Sequence, residues 1–324
     1  MLAVFWLALA GGRAEEAVDP ATLQRHRFSA PHLGTAVHLV FYAPGEREEA
    51  AKLARAAFAK VKELDAVFSD YREDSEVRKF ERKALNTPHP VSRDLFVVMA
   101  CAQKIAARTD GAFDPTLGKD TKRWRAKRDR SAETAREIPK SSGNYRHLKL
   151  DHNKQTVLFE KPLQLDLGGI AKGYIADELM ALMTKNGIER AAIVIGGETV
   201  LSGPPPGKKG WRIGLENPEQ IRIGTIELEN IALSTSGDSY QFIETEGKRE
   251  AHLIDPATRK GKSNRLNVVT LAPTAMQADA WATALRILPT DRALKLANRE
   301  RDLEALFIPL GKEPIRTEHF PESQ

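Results

Sequence analysis

Apolar residues along this chain recur with two different periods, and these periods predict a mixture of helices and strands. A helical spacing of alanine, leucine and valine predicts helices over residues 46–68, 94–108, 171–185, 277–288 and 291–298. Short alternating or continuous apolar runs predict strands over residues 32–42, 191–195, 211–215, 224–228, 267–272 and 304–309. Because hairpins and segregated helices are mixed and no internal repeat occurs, the pattern predicts an α+β fold with mixed or antiparallel sheets and flanking helices.

Polar stretches separate these predicted elements. Residues 69–76 form one turn-rich loop, and residues 109–116 form another that is punctuated by Asp-Gly and Asp-Pro pairs. Residues 145–160 predict a hairpin. From Lys119 to Asn144 the charged composition predicts an irregular excursion.

The chain of 324 residues can bury a full core and fits one large domain or two ordinary ones. The apolar run Leu2–Ala10, followed by small residues, resembles the apolar part of a secretory signal but lacks a basic leader. It is too short to span a bilayer, and a frayed apolar terminus is the alternative. We therefore predict a signal segment over 1–14, a domain over 21–310 and a polar tail over 311–324, in an exported protein of the periplasm or the periplasmic face of the inner membrane.

Charge and cysteine content exclude several classes of function. The 49 basic and 44 acidic residues give a net charge of only +5, and the basic residues are scattered or sit in short loops. This distribution does not predict nucleic-acid binding. The single cysteine, Cys101, excludes an internal disulfide and a cysteine-based metal site.

The stretch over residues 163–179, LQLDLGGIAKGYIADEL, is a candidate anion site. We predict a strand ending on Asp166, a Gly168-Gly169 turn, and a helix with Lys172 in its first turn. Glycines let backbone N–H groups approach a ligand closely, and a helix N-terminus favours anions. The stretch has neither the GxGxxG spacing of a dinucleotide fingerprint nor the ending of a P-loop. Plain turn chemistry remains the alternative.

A candidate metal site lies in the segment QADAWATAL. Asp279 and Thr283 are four residues apart, so they share one face of the predicted helix and offer two hard oxygen ligands. This donor set suits an Mg²⁺ ion that keeps waters and borrows phosphate oxygens. A first-turn aspartate with a surface threonine is the alternative.

Two further residues have candidate roles in ligand chemistry. His252 lies close to Asp255 in the sequence and follows the loop over 234–238, so it is a candidate general base, with an ordinary structural role as the alternative. Tyr71 is an aromatic residue in a polar loop, where it either packs on the domain or stacks on a planar ligand.

Taken in order, these segments resemble the ApbE family of FAD:protein FMN transferases. The matching pieces are HLGT (32–35), FSDYREDSEV (68–77), TDGAFDPT (109–116), DLGGIAKGY (166–174), IGGE (195–198), STSGD (234–238), HLIDPATRKG (252–261) and DAWATAL (279–285). They span residues 32–285, and the combination is a specific signature.

The resemblance implies an ApbE-like fold with an FAD cleft, and it implies roles for individual residues. FAD would be contacted by Leu33, Tyr71, Ala112, Phe113, Asp114, Asp166, Lys172 and Ile254. Mg²⁺ would be held by Asp279, Thr283 and the backbone carbonyl of Gly169. A serine or threonine hydroxyl of an acceptor protein, a membrane or periplasmic redox protein, would attack the FMN-side phosphorus and AMP would leave. His252 is the candidate general base, with Asp238 or Asp255 as its orienting carboxylate.

The chain departs from the family pattern at two points. Leu33 replaces the usual methionine before Gly-Thr, and Ile195-Gly196-Gly197-Glu198 replaces the more common Asn-x-Gly-Gly-Asp. Two alternatives stay open: an FAD pyrophosphatase that releases FMN and AMP, and a non-enzymatic periplasmic flavin-binding protein.

Overall fold

The computed structural model describes residues 22–129, 132–139, 143–239, 241–245 and 248–324. The predicted signal segment over 1–14 lies outside the described residues. The α-helices are α1 (Arg47–Phe68), α2 (Glu76–Glu81), α3 (Arg93–Arg108), α4 (Gly118–Asp129), α5 (Ala132–Glu137), α6 (Ala171–Lys185), α7 (Ala275–Ile287) and α8 (Thr290–Ala297). A short 3₁₀ helix covers Tyr145–His147.

The strands of the described chain are β1 (Gln24–His32), β2 (Thr35–Ala43), β3 (His89–Pro90), β4 (Leu148–Asp151), β5 (Thr156–Phe159), β6 (Arg190–Ile195), β7 (Glu198–Leu201), β8 (Trp211–Glu216), β9 (Arg222–Leu228), β10 (Ile231–Ser236), β11 (Phe242–Thr245), β12 (Lys248–Ala251), β13 (Ile254–Asp255), β14 (Lys260–Gly261), β15 (Leu266–Ala272), β16 (Glu304–Pro309) and β17 (Ile315–Arg316). The segregated helices and strands confirm the predicted α+β class.

An eight-stranded antiparallel sheet in the order β1-β2-β6-β7-β10-β15-β16-β17 carries the helices on one face. Alternate side chains of β2 divide between the faces, as the two-residue period of a strand requires. Leu39 and Phe41 join the core beneath α1, α3, α6 and α7, whereas Val40 and Tyr42 pack with the β8–β9 hairpin on the other face. The sheet is thus covered on both faces, and the helices on one of them carry most of the candidate site.

The N-terminal part of the sheet differs from the single strand predicted over residues 32–42. Two strands, β1 and β2, pair as a hairpin in which His32 faces Thr35. The two residues between them, Leu33 and Gly34, have φ of 55° and 70°. Positive φ at both central positions is the signature of the tight turn that matches strand twist, and this turn places Leu33 at the hairpin tip.

The irregular excursion predicted from Lys119 to Asn144 was wrong, because this region contains α4 and α5. Helix α4 is too polar to show the apolar stripe by which an amphipathic helix is recognised. Ion pairs to other elements hold it in place: Asp120 Oδ2 lies 3.1 Å from Arg259 Nη1, and Lys127 Nζ lies 2.7 Å from Glu250 Oε2.

Residues 311–324, predicted as a polar tail, pack on the described fold. Strand β17 pairs with β16, and Phe320 is buried in the core under the β8–β9 hairpin. The N–H of Gln324 donates to the carbonyl of Thr225 over 2.8 Å.

Helices α6 and α7 approach each other very closely at Gly173. A Cβ atom built at this position would lie 2.1 Å from the carbonyl oxygen of Ala275 on α7. The two helices are also joined by Asp177, whose carboxylate accepts from the N–H groups of Ala275 and Met276 over 2.7 and 2.9 Å. These contacts fix the N-terminal turns of α6 and α7 against each other.

We expect Gly173→Ala to separate the two helices and to lower the free energy of unfolding by about 3 kcal/mol, because the added methyl group meets backbone that cannot rotate away. Chemical denaturation monitored by circular dichroism measures the change. Gly214→Ala is the control, since a Cβ there would meet the flexible side chain of Arg222 at 3.4 Å. Equal stability of both variants would contradict the close packing.

Candidate functional site

Three charged side chains from separate elements meet beside the N-terminal turn of α6. Lys172 Nζ lies 3.3 Å from Glu198 Oε1 on β7 and 3.7 Å from Asp279 Oδ2 on α7. The same ammonium donates to the carbonyl of Gly168 over 2.7 Å. The side chains of Glu198 and Asp279 are only 5% and 4% exposed, so this cluster sets two buried carboxylates against one ammonium.

The charges of this cluster perturb one another strongly. Burial raises the pKa of Glu198 to about 8; repulsion from Asp279 adds to the effect and Lys172 opposes it. Burial likewise raises the pKa of Asp279. Burial alone would lower the pKa of Lys172, but Asp279 and Glu198 raise it above its usual value, so the ammonium stays charged. Lys172 therefore carries a firm positive charge, whereas at neutral pH the protonated form of Glu198 is favoured.

Gly169 places its backbone directly against Thr283. A Cβ at Gly169 would lie 2.8 Å from Thr283 Oγ1 and 3.4 Å from Phe113 Cε2, so only glycine fits this cradle. Asp279 and Thr283 lie on one face of α7, as their spacing predicts. The backbone of Gly169 therefore lies against the Thr283 hydroxyl, one helical turn from Asp279, and the three residues offer a carbonyl, a hydroxyl and a carboxylate as hard oxygen donors.

This donor set fits a hard divalent cation that also takes oxygens from a ligand. Glu198 Oε2 is buried and has no hydrogen-bond partner among the described residues. Within the same residues, no group of three or more His, Cys, Asp or Glu side chains is arranged to hold a metal. A cation here would therefore need phosphate or water oxygens to complete its coordination.

Asp166 lies next to this cluster but does not end a strand, in contrast to the prediction. Residues 162–167 make one isolated bridge, between Gln164 and Leu117, and otherwise lie outside helices and strands. Asp166 accepts from Thr121 Oγ1 over 2.5 Å and from the N–H of Gly168 over 2.9 Å. Burial would raise the pKa of Asp166, but Arg125 and these two donors hold it below the usual value. The carboxylate is therefore ionised.

The loop over residues 109–116 borders the candidate site, because the side chain of Phe113 is buried against Gly169. Asp114 accepts from the N–H and hydroxyl of Thr116 over 2.9 and 2.6 Å and from the N–H of Tyr145 over 3.2 Å. Its carboxylate shapes the loop, and the preceding Ala112 stays half-buried.

His252 is partly buried and packs against α4 through Trp124. Its Nδ1 lies 3.2 Å from the carbonyl oxygen of Gln241, a contact that requires a proton on Nδ1 and leaves Nε2 as an acceptor. Its ring centroid lies 6.2 Å from that of Trp124, which also packs on Ile254. Burial lowers the pKa of His252 to about 4, so the imidazole is neutral at pH 7.

Neither carboxylate predicted to orient His252 contacts it among the described residues. Asp238 is fully buried, and its Oδ2 lies 3.5 Å from Arg265 Nε. Asp255 accepts from the N–H of Ala257 over 2.9 Å and pairs with Lys262 over 3.4 Å. The backbone carbonyl of Gln241 occupies the position in which we expected a carboxylate.

Four residues of the site were missed by sequence reasoning: Thr121, Trp124, Arg125 and Glu198. The first three lie on α4, in the region that was predicted to be irregular. The i,i+4 spacing of Thr121 and Arg125 was the available signal, because it places both on the face that meets Asp166. For Glu198 the only signal in the sequence was its place as the last residue of the motif IGGE (195–198).

Comparison with known proteins identifies the family of this chain. The model of the ApbE family matches residues 33–307. The FAD:protein FMN transferase of Salmonella typhimurium is 32% identical over 248 residues, which cover 73% of this chain and 71% of that protein. The Haemophilus influenzae FAD:protein FMN transferase is 31% identical over 295 residues, covering 86% of this chain and 85% of that protein.

Solved structures give the same result for the fold. The flavinyl transferase ApbE of Pseudomonas stutzeri, in its apo form, superposes with a TM-score of 0.78 at 27% identity, covering 91% of this chain and 95% of that one. The flavin transferase ApbE of Vibrio cholerae has a TM-score of 0.78 at 26% identity and covers 91% and 98%. The predicted ApbE-like fold is confirmed.

Proposed function

This chain belongs to the ApbE family, and from that premise we propose that it is an FAD:protein FMN transferase. It transfers the FMN moiety of FAD to a serine or threonine hydroxyl of an acceptor protein and releases AMP. One observation carries this proposal at the level of the site. The Gly169 cradle, Thr283, Asp279 and Lys172 form a compact site suited to a pyrophosphate with its cation.

We propose that the carbonyl of Gly169, the carboxylate of Asp279 and the hydroxyl of Thr283 hold Mg²⁺. When bound, this ion draws electron density from the pyrophosphate oxygens and stabilises charge that develops there during transfer. Lys172 adds a fixed positive charge at the start of α6, where an anion is already favoured by the helix N-terminus. The two carboxylates that face Lys172 keep it charged and directed before FAD arrives.

His252 acts as the general base in this proposal. Its neutral ring, fixed by Gln241 at Nδ1, presents Nε2 to the acceptor hydroxyl and takes its proton. The hydroxyl oxygen then bonds to the FMN-side phosphorus as the bond from that phosphorus to the AMP oxygen breaks. The electron pair leaves with AMP, and His252 returns its proton to solvent.

The remaining contacts to FAD are proposed at the rim and walls of the same cleft. They involve Leu33, Tyr71, Ala112, Phe113, Asp114, Asp166 and Ile254. Tyr71 is 71% exposed, which suits a ring that stacks on a planar ligand. Asp114 acts through the shape of its loop, because its carboxylate oxygens are already hydrogen-bonded.

We also propose that the protein is exported and acts on a membrane or periplasmic redox protein. The apolar run Leu2–Ala10 supports export. Within the described ranges, no helix combines the length and apolar character that crossing a bilayer requires.

The proposed activity is tested by incubating the protein with FAD, MgCl₂ and a threonine-containing acceptor protein. We expect AMP release together with flavin that stays on the acceptor after denaturation, detected by in-gel fluorescence and intact mass. AMP with free FMN would identify a pyrophosphatase instead, and unchanged FAD would identify a binding protein. Omitting MgCl₂ is the control for the metal.

A further inference from the structure

Tyr71 has an unusual neighbour for so exposed a side chain. The guanidinium carbon of Arg125 lies 4.2 Å from the centroid of the Tyr71 ring. The ring is 71% exposed, whereas the Arg125 side chain is only 20% exposed. Arg125 therefore covers one part of the tyrosine and leaves much of the ring open to solvent.

Arg125 is itself held by a chain of charges that leads back to the Asp166 segment. It pairs with Asp70, whose backbone carbonyl accepts from Arg78 Nη2 over 2.7 Å. Arg78 pairs with Glu81 over 2.7 Å, and Glu81 accepts from the N–H of Leu165 over 2.6 Å. The residue next to Leu165 is Asp166, which Thr121 of α4 binds from the other side. This closed network sets the position of Arg125 relative to the candidate FAD cleft.

The charge of Arg125 is offset before any ligand arrives. Asp70 pairs with it directly, and the negative charge of Asp166 also acts on it. A guanidinium that already faces two carboxylates is a poor receptor for a phosphate. A planar guanidinium is, however, well suited to stacking on an aromatic ring. The geometry favours a role through Tyr71 over a direct contact with pyrophosphate.

We propose that Arg125 is a positioning residue that fixes the Tyr71 ring, before substrate binds, as the stacking platform for one planar ring of FAD. This inference rests on the proposed function, because it takes FAD as the ligand. A preset ring loses less rotational freedom on binding than a mobile one, so its stacking contributes more to affinity. Arg125→Ala should therefore weaken FAD binding about three- to tenfold and raise KM for FAD far more than it lowers kcat.

A double-mutant cycle tests the proposal with full-length protein. Kd for FAD is measured by quenching of flavin fluorescence in wild type, Arg125→Ala, Tyr71→Ala and the double variant. We expect Arg125→Ala to have its effect only when Tyr71 is present. Equal effects of Arg125→Ala with and without Tyr71 would show a direct contact and overturn the proposal, as would an unchanged Kd.

The matched control is Arg128→Ala on the same helix. The Arg128 guanidinium lies 5.4 Å from the Trp124 ring and pairs with Asp129, so this variant removes the same group from α4 and leaves Arg125 in place over the Tyr71 ring. Its Kd for FAD should equal that of wild type. Arg125→Lys, which keeps the charge but not the planar group, should resemble Arg125→Ala; full recovery by lysine would overturn the stacking role and serves as the check if the alanine variant fails to fold.

Binding of the two halves of FAD gives a second, independent readout. FMN and AMP are titrated separately, and only the fragment whose ring stacks on Tyr71 should lose affinity in Arg125→Ala. An equal loss for both fragments would indicate general damage and overturn the proposal. If wild type binds neither FAD nor its fragments, it is the proposed function that fails.

Discussion

Asp279→Asn is expected to abolish Mg²⁺-dependent transfer, lowering the rate by about 10³-fold or more. The carboxylate is both the only charged member of the proposed donor set and a direct neighbour of Lys172. An amide of the same shape keeps an oxygen for the N–H of Gly173 but cannot offer a charged ligand to the ion. Since a metal ion stabilises transferring phosphoryl charge by several kcal/mol, its loss is worth at least three orders of magnitude in rate.

The experiment needs a readout that is independent of activity. Mn²⁺ binding followed by electron paramagnetic resonance should fall in Asp279→Asn, whereas the exposed Asp291→Asn on α8 should bind as wild type does. The midpoint temperature of thermal unfolding of the metal-free variant should not fall below that of wild type. The substitution leaves Glu198 as a carboxylate partner of Lys172 and removes the repulsion between Glu198 and Asp279. Undiminished turnover of Asp279→Asn would remove Asp279 from the metal site.

His252→Ala should slow transfer about 10²- to 10⁴-fold while the affinity for FAD changes little, because removing a general base affects the proton transfer and not the binding of the flavin. Single-turnover release of AMP at saturating FAD measures the rate, and fluorescence titration measures the affinity. His89→Ala is a matched control, since the ring of His89 also bonds a backbone carbonyl, that of Ala84, at 3.1 Å. A large loss of affinity with unchanged turnover would refute the base assignment.

The protonation state of His252 gives this prediction a pH dependence. Its pKa is lowered to about 4, first by burial and further by the positive charges of Lys172 and Arg286. A base works in its neutral form, so the activity that depends on it should be lost only as the pH falls through about 4, and not through the ordinary value near 6.5. In the metal-free protein, the His252 resonance assigned by His252→Ala should not titrate between pH 5 and 8. A midpoint near 6.5 would contradict the burial argument.

Most long elements of the fold could be predicted from the sequence because their side chains carry a strong local period. Helices α1 and α3 place alanine and larger apolar residues on one stripe, and the structure buries that stripe. Helix α4 could not be predicted in this way, because contacts with Asp70, Glu250 and Arg259 hold it. These partners lie far from α4 in sequence, so no local window contains the signal.

In the candidate site, too, residues within one short segment could be predicted, whereas contacts between distant segments could not. Asp166, the two glycines and Lys172 were recognisable from one short segment, since a tight turn before a helix has a local signature. The spacing of Asp279 and Thr283 likewise predicted that they share a helix face. The ion pair between Lys172 and Glu198 and the hydrogen bond from Thr121 to Asp166 could not be predicted from any single segment. These contacts join elements that are far apart in the sequence and meet only in the folded protein.

By itself, then, the sequence determined the α+β class, the ApbE-like motifs in their order, and the residue types that suit a pyrophosphate and a hard cation. The tertiary structure decided how these residues act on one another. Glu198 and Asp279 are buried around the ammonium of Lys172, and His252 bonds a backbone carbonyl instead of a carboxylate. The polar segment that begins near Lys119 forms α4, from which Arg125 contacts the Tyr71 ring. The physical reason is that burial and charge pairing depend on distances between elements, and these are fixed only when the helices pack on the sheet.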